Sequence, residues 1–589
     1  MTREVKARWA TLGAVLWLAG RMAVASEGMP GLPESVAGWA AGARLYEGLG
    51  DFHRPVSSAV PLAQQYFDQG MRLLWAFNHD ESTRSFAQAA QLDPACAACL
   101  WGVALTVGPN YNLPAAAAPR ARVAWEALQR AQALAGGASP VERALIEALA
   151  ARYPAPTPLS AADTPPVLAR YATAMESVAA RFPEDLDVQV LTAEAQMTVN
   201  AWKLWTPDGE PIPGTAAIVT RLEAVLSRDP RHPGANHYYI HLMEASPVPQ
   251  HALAAAERLP GMMPAAGHLE HMPAHIMQRI GRYEDAAEAN RRGIAADRAY
   301  LAATAPPDAY PVMYYGHNYA FLAFAAAMEG RKAETLSAVH DLYQSAPLSM
   351  VLGMGDSGWL MTPPYAALVR FGLWDEMLAV PAPPAQAPGL TAGYLWGRGV
   401  ALAARGRTAE ARAAEESLRQ LQETVPADAA AGFNSLRDII AIERAILSAR
   451  IAATERRDAD AIAALREAVA GEDRLAYNEP ADWFFPVRHL LGTQLLIARQ
   501  PHAAADVFRE DLRRNPDNGW ALQGMRLAAQ AQGQRAAAAR WATAQQRAWR
   551  HADVRLPGAA FWFPGVDTAD CECQHLDGAT SAARPLPTP

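Results

Sequence analysis

A helical hairpin that recurs along the chain constrains its fold more than any other feature. The clearest copy is residues 268–297, HLEHMPAHIMQRIGRYEDAAEANRRGIAAD. An amphipathic helix ends at Gly281, Tyr283 follows, and a second helix begins at Glu284. Ala286 and Gly293 are small where the two helices touch, and a bulky side chain at Ala286 would push the pair apart.

Four further copies keep the same offsets. Residues 63–94 have Gly70, Ser82, Phe86, Ala89 and a closing Asp93-Pro94, and residues 486–516 have Gly492, Ala504, Phe508 and a closing Asn515-Pro516. Residues 395–418 repeat the pattern around Gly406 and Ala411, and residues 519–541 around Gly533 and Ala538. Weaker copies surround 222–230, 327–342 and 440–468. A closing proline suits the end of a second helix because it cannot continue one. No run of alternating residues reads as a strand, and the Ala-rich stretch 527–542 favours helix.

These residues resemble the tetratricopeptide repeat (TPR), two antiparallel helices in about 34 residues with a Gly-x-Tyr turn. The resemblance implies an all-α, right-handed superhelical solenoid of antiparallel helix pairs. The expected organisation is a signal peptide over 1–25, an N-terminal extension over 26–60, the solenoid over 61–560 and a Cys-containing tail over 561–589. Pro-rich joints at 154–166, 205–214, 303–311 and 381–388 are expected as loops crossing the solenoid.

At 51% hydrophobic and 19% charged, the chain is globular rather than disordered. Its net charge of −8 and lack of a basic stripe argue against a nucleic-acid partner. Arg3, Lys6 and Arg8 precede an apolar run from Trp9 to Gly20, and Ala23-Val24-Ala25 supplies a cleavage site. The run is shorter than the ~20 residues that span a bilayer, so export to the periplasm or beyond is expected, with no membrane span after the signal is removed. Cys96, Cys99, Cys571 and Cys573 are an even set. In an oxidising compartment they read as disulfides, or else as metal ligands in Cys96-x-x-Cys99 and Cys571-x-Cys573-x-His575.

Six of the fifteen histidines fall between His237 and His275. His237 and His241 are spaced i, i+4, as are His271 and His275, and His268 lies three residues before His271. That spacing puts imidazoles on one helix face, close enough to share a metal ion. With Gly281 as the corner, His268, His271 and His275 take repeat positions 2, 5 and 9. His237, His241 and Glu244 take positions 5, 9 and 12 of the preceding repeat. In the TPR family these first-helix positions line the concave groove, so the resemblance implies that the five face one another there.

His317 opens the next first helix near position 2, and His489, near position 5, follows an aromatic stretch that includes Trp483 and Arg488. All-imidazole ligation suits copper or zinc, with iron or nickel also open. Glu244 reads as a ligand, as an acceptor orienting an imidazole, or as a catalytic general base. Tyr238, Tyr239, Tyr314, Tyr315 and Trp483 read as groove contacts for a substrate or as repeat core. A lone histidine in a helical repeat is ordinarily packed or solvated, and a pH-sensing cluster is a further reading.

Before and within the first repeat lie Asp51-Phe52-His53-Arg54-Pro55-Val56-Ser57 and Trp75-Ala76-Phe77-Asn78-His79-Asp80-Glu81, then Gly108-Pro109-Asn110-Tyr111-Asn112. Together with Cys96-x-x-Cys99 and the HMPxHI helix, they make the chain similar to a bacterial subfamily of exported TPR proteins. His53 and His79 either serve the same site or cap and pack. The expectation is a secreted or periplasmic metalloprotein holding copper or zinc in its groove, and acting on a peptide or small molecule if it is catalytic. The competing expectation is a non-catalytic scaffold that binds a peptide or protein partner.

Overall fold

The computed structural model describes residues 32–114, 118–304, 310–345, 347–556 and 558–562. The expected leader, Cys571, Cys573 and the tail beyond Trp562 lie outside the described residues.

Among the described residues the fold is all-α. The only strands are two-residue segments, Ala430–Ala431 and Asn434–Ser435, paired antiparallel. Helices follow one another as antiparallel hairpins, and the corners of those hairpins share one construction. At Phe77, Gly330, Gly406, Arg456, Arg499 and Gly533 the backbone is left-handed, with φ of 56°, 70°, 75°, 62°, 58° and 73°. The next amide then donates to a carbonyl five residues back: Asn78 to Leu73 at 3.1 Å, Arg331 to Ala326 at 3.0 Å, Arg407 to Leu402 at 2.9 Å. Arg457, Gln500 and Gln534 repeat the bond at 2.8, 2.8 and 2.9 Å. This satisfies carbonyls that the helix end would otherwise leave open, and it fixes the turn of each hairpin.

Packing inside the hairpins is equally repetitive. Phe86 wedges between Gly70 and Gly102, each sixteen residues away, and Phe508 wedges between Gly492 and Gly524 at the same spacing. A Cβ at any of the four glycines would overlap the phenyl ring. The small residue therefore sits where a second-helix aromatic crosses two successive first helices. The chain is built of TPR-like helix pairs.

The residues divide into two compact units, the first Met1–Ile276, Arg291–Tyr315 and Gly353–Gly355, the second Met277–Asn290, Gly316–Leu352 and Asp356–Pro589. In the first unit Arg54 is buried and forks onto Asp185 at 2.9 and 2.9 Å while reaching Asp187 at 2.6 Å. His232 Nδ1 accepts from the Ala235 amide at 3.1 Å, so its Nε2 carries the hydrogen that Asp187 accepts at 3.0 Å. Burial alone would raise the Asp187 carboxyl, but His232 and Arg54 hold it below its ordinary range. The extended segment before Pro61 is thereby tied to helices Leu186–Val199 and Pro233–Met243.

The Pro-rich joints are shorter than the sequence implies. Pro165 and Pro166 lie in the first turn of helix Thr164–Arg181, and Pro388 opens helix Pro388–Ala404. First-turn amides have no intrahelical acceptor, so proline loses nothing there. At the 205–214 joint, Trp205 bridges Pro211 around a turn with Gly209 at φ 85°. No described helix is long and apolar enough to cross a membrane.

Candidate metal centre

His232 caps helix Pro233–Met243, every residue of which is buried. His237 and His241 therefore project from one face into protein, one turn apart. Helix Gly267–His271 and the following helix Pro273–Arg279 carry His268, His271 and His275. All five histidines are at most 3% exposed.

Their rings form a closed circuit. Centroids are 4.9 Å apart for His237–His268, 5.6 Å for His268–His271 and 4.8 Å for His271–His275. His275–His241 at 5.3 Å and His241–His237 at 4.9 Å complete it. Two nitrogen pairs are in close contact: Nε2 of His237 and His268 at 3.1 Å, and Nε2 of His271 and His275 at 2.8 Å.

Hydrogen bonds on the far side of three rings decide which nitrogens present lone pairs. The Trp75 carbonyl can only accept, so His237 Nδ1 donates to it at 2.6 Å. The two oxygens of Glu244 are divided between two rings: Oε1 accepts from His241 Nδ1 at 2.9 Å, and Oε2 accepts from His275 Nδ1. A neutral imidazole carries one hydrogen, so Nε2 of His237, His241 and His275 is left with a lone pair. Burial holds the rings neutral, lowering His237 far below its ordinary value, His241 to about 3 and His275 to about 4.

His241 Nε2 is buried and has no hydrogen-bond partner. One ligand nitrogen each from His237, His241 and His268 lies within 4.8 Å of the others. Zinc–imidazole bonds of about 2.0–2.1 Å set ligand nitrogens about 3.3 Å apart, so a small inward shift of these rings would hold a transition-metal ion. The carbonyl behind His237 and the carboxylate behind His241 are the arrangement that orients metal-binding imidazoles. Glu244 thus acts here as an acceptor that orients two rings.

The sequence expectation set these histidines in a concave groove; in the structure aromatic residues close over them. The Phe77 ring lies 4.3 Å from His237 and stacks on His241 and His268 at 5.5 Å each, tilted by 11° and 16°. Tyr111 and Trp202 meet His241 at 5.6 and 5.4 Å, and Tyr314 meets His268 at 4.9 Å. Tyr238 is fully buried against Trp75 and Phe77 and is a core residue, not a groove contact. Tyr239, also buried, donates from its hydroxyl to Glu223 at 2.6 Å.

Phe77, Tyr111, Trp202 and the Trp75 carbonyl were not legible as site residues. For Phe77 a signal exists: it occupies a left-handed corner where other hairpins use glycine or arginine.

Neither secondary histidine joins the ring. His53, about half exposed, pairs through Nδ1 with Asp68 at 2.8 Å. His79 is buried, with Nδ1 3.0 Å from the Phe77 carbonyl oxygen, and burial lowers it to about 4. Tyr315 is half-buried in the turn Pro311–Gly316.

Three of the second-unit candidates, Trp483, Arg488 and His489, are structural. His317 opens helix His317–Met328, its ring 4.8 Å from Phe321. Trp483 is core rather than groove, its ring 5.1 Å from Trp396. Arg488 is buried in a bidentate pair with Asp473 at 2.8 and 2.7 Å, which leaves no free fork for a ligand. His489 is sealed between Arg370 at 2.9 Å and Asp511 at 2.8 Å. Cys96 and Cys99 are buried and joined as a disulfide, so neither thiolate is available to a metal.

No family model matches the sequence, and no curated protein matches it. Among solved structures, the human IFIT1 dimer with PPP-AAAA is 14% identical over 82% of this chain and 95% of its own, with a TM-score of 0.32. The APC/C hetero-tetramer Cut9–Hcn1 is 12% identical over 83% and 88%, TM-score 0.26. Naa15/Naa10 bound to HypK-THB is 11% identical over 83% and 89%, TM-score 0.21. Function is therefore read from this chain's own residues.

Proposed function

We propose that this chain is an exported metalloprotein that binds copper or zinc through Nε2 of His237, His241 and His268. The observation that carries the reading is the buried, partnerless Nε2 of His241, on a ring grouped with His237 and His268 and opposite a fixed Nδ1–H···Glu244 bond. Leaving such a lone pair dry costs on the order of 1–3 kcal/mol, and a bound ion removes that cost. Trp75 and Glu244 set the ring orientations, and Phe77, Tyr111 and Trp202 exclude water from around the nitrogens.

Three imidazoles leave one position of a tetrahedral ion for an exogenous ligand, the condition for metal-dependent catalysis on a small molecule or peptide. Export rests on the leader-like residues 1–25, and the buried Cys96–Cys99 disulfide accords with an oxidising compartment.

The test is elemental analysis of protein purified without an affinity tag. At least one equivalent of copper or zinc is expected per chain, with one equivalent fewer in His237→Ala/His268→Ala. Metal-free protein whose melting temperature ignores added copper and zinc would overturn the reading and leave the peptide-binding scaffold.

A further inference from the structure

The circuit contains more imidazoles than one ion can use. A tetrahedral ion takes four ligands, and bonds of 2.0–2.1 Å set neighbouring ligand nitrogens about 3.3 Å apart. Two nitrogen pairs approach that spacing independently, His237 with His268 at 3.1 Å and His271 with His275 at 2.8 Å. They are distinct pairs: the rings that separate them along one helix, His268 and His271, have centroids 5.6 Å apart. His241 completes the first set as its third ligand.

We infer that the ring is a dinuclear centre. One ion sits on His237, His241 and His268, and a second sits on His271 and His275. The inference rests on the metal reading above and adds a second, separately removable site to it. Glu244 ties the two together, because Oε1 orients His241 of the first set and Oε2 orients His275 of the second. A carboxylate that served only one ion would have no reason to divide its oxygens between the pairs.

Lone-pair bookkeeping points the same way. His237 and His275 have each committed Nδ1–H elsewhere, so each brings a bare Nε2 to its pair. Two ions satisfy both pairs and His241 Nε2 together. Hydrogen bonding within the pairs would still leave His241 Nε2 with nothing. Burial of charge further favours monovalent copper: two such ions carry half the charge of two zinc ions, and Glu244 offsets part of it.

Native mass spectrometry of the full chain, saturated with Cu(I) without oxygen and separately with Zn(II), tests the inference. Two ions per chain are expected for one or both metals. His271→Gln/His275→Gln and His237→Gln/His268→Gln should each retain one, with unchanged far-ultraviolet dichroism as the check on folding. The unmodified chain is decisive even if a variant misfolds, since saturation at one ion overturns the dinuclear centre. If that one ion survives His271→Gln/His275→Gln but not His237→Gln/His268→Gln, the metal reading stands alone. A chain that takes up no ion overturns both.

Discussion

The carbonyl oxygen of Trp75 accepts the Nδ1 hydrogen of His237 at 2.6 Å, across 162 residues of chain. Trp75 is the last residue of helix Pro61–Trp75, where carbonyls lack intrahelical donors. One bond thus satisfies a helix end and fixes an imidazole tautomer. Two residues later, the corner of the same hairpin inserts the Phe77 ring among three histidines.

Phe77 sets ring packing against backbone strain. Its φ of 56° costs roughly 1–2 kcal/mol in a residue with a Cβ, whereas losing a buried phenyl costs about 3–5 kcal/mol. Packing wins, so Phe77→Ala and Phe77→Gly both destabilise. Glycine relieves the strain that alanine keeps, and urea unfolding should find Phe77→Gly the more stable by about 1 kcal/mol. Equal stabilities, or alanine ahead, would show that the corner carries no strain.

Glu244→Gln replaces an acceptor-only group with one that presents an NH2 to one of two N–H donors. One of the two rings must then turn or lose its anchor. Metal affinity should fall about 10–100-fold, measured by chelator competition, with little change in helix content.

Gly102 is a helix-interior glycine, where alanine ordinarily stabilises by about 1 kcal/mol. The Phe86 ring occupies the place of the new methyl, and overpacking costs about 1–3 kcal/mol. Gly102→Ala should therefore lower the melting temperature. A rise would mean that Phe86 moves aside freely.

Arg54→Lys keeps the charge but removes the fork that spans Asp185 and Asp187. Breaking a buried pair of this kind costs about 3–5 kcal/mol when one partner is removed. Lysine should recover only part of that cost relative to Arg54→Ala in denaturant unfolding.

His79 gives a pH dependence of known sign. Burial lowers it to about 4, against the pull of its bond to the Phe77 carbonyl, while the unfolded chain titrates near 6.5. The folded value is the lower, so the contribution is intact above pH ~6.5 and is lost as pH falls toward 4. Between pH 7 and 5 it should amount to about 2 kcal/mol. Urea titrations should show the parent chain losing about 2 kcal/mol more than His79→Gln over that interval, since the other buried histidines contribute to both.

Much of this was legible because it is local. The hairpin is written in glycine, alanine and phenylalanine at fixed offsets, and the i, i+4 histidines declare a common face. The enclosure was not legible, since Trp75, Phe77, Tyr111 and Trp202 reach His237 and His241 from distant segments of chain. A family groove position says which way a side chain leaves its helix, and nothing about what closes over it. The alternatives for Trp483 and the groove expectation for His489 show the same limit: aromatic and polar residues ahead of a helix can be core as readily as groove.

The central claim is that imidazole Nε2 atoms hold a transition-metal ion. X-ray absorption at the metal edge of tag-free protein tests it most directly. Scattering from two to three imidazole nitrogens per ion at about 2.0–2.1 Å, with the outer-shell pattern of imidazole rings, is the expected result. An oxygen-only shell, or protein that retains no copper or zinc while fully folded, would contradict it.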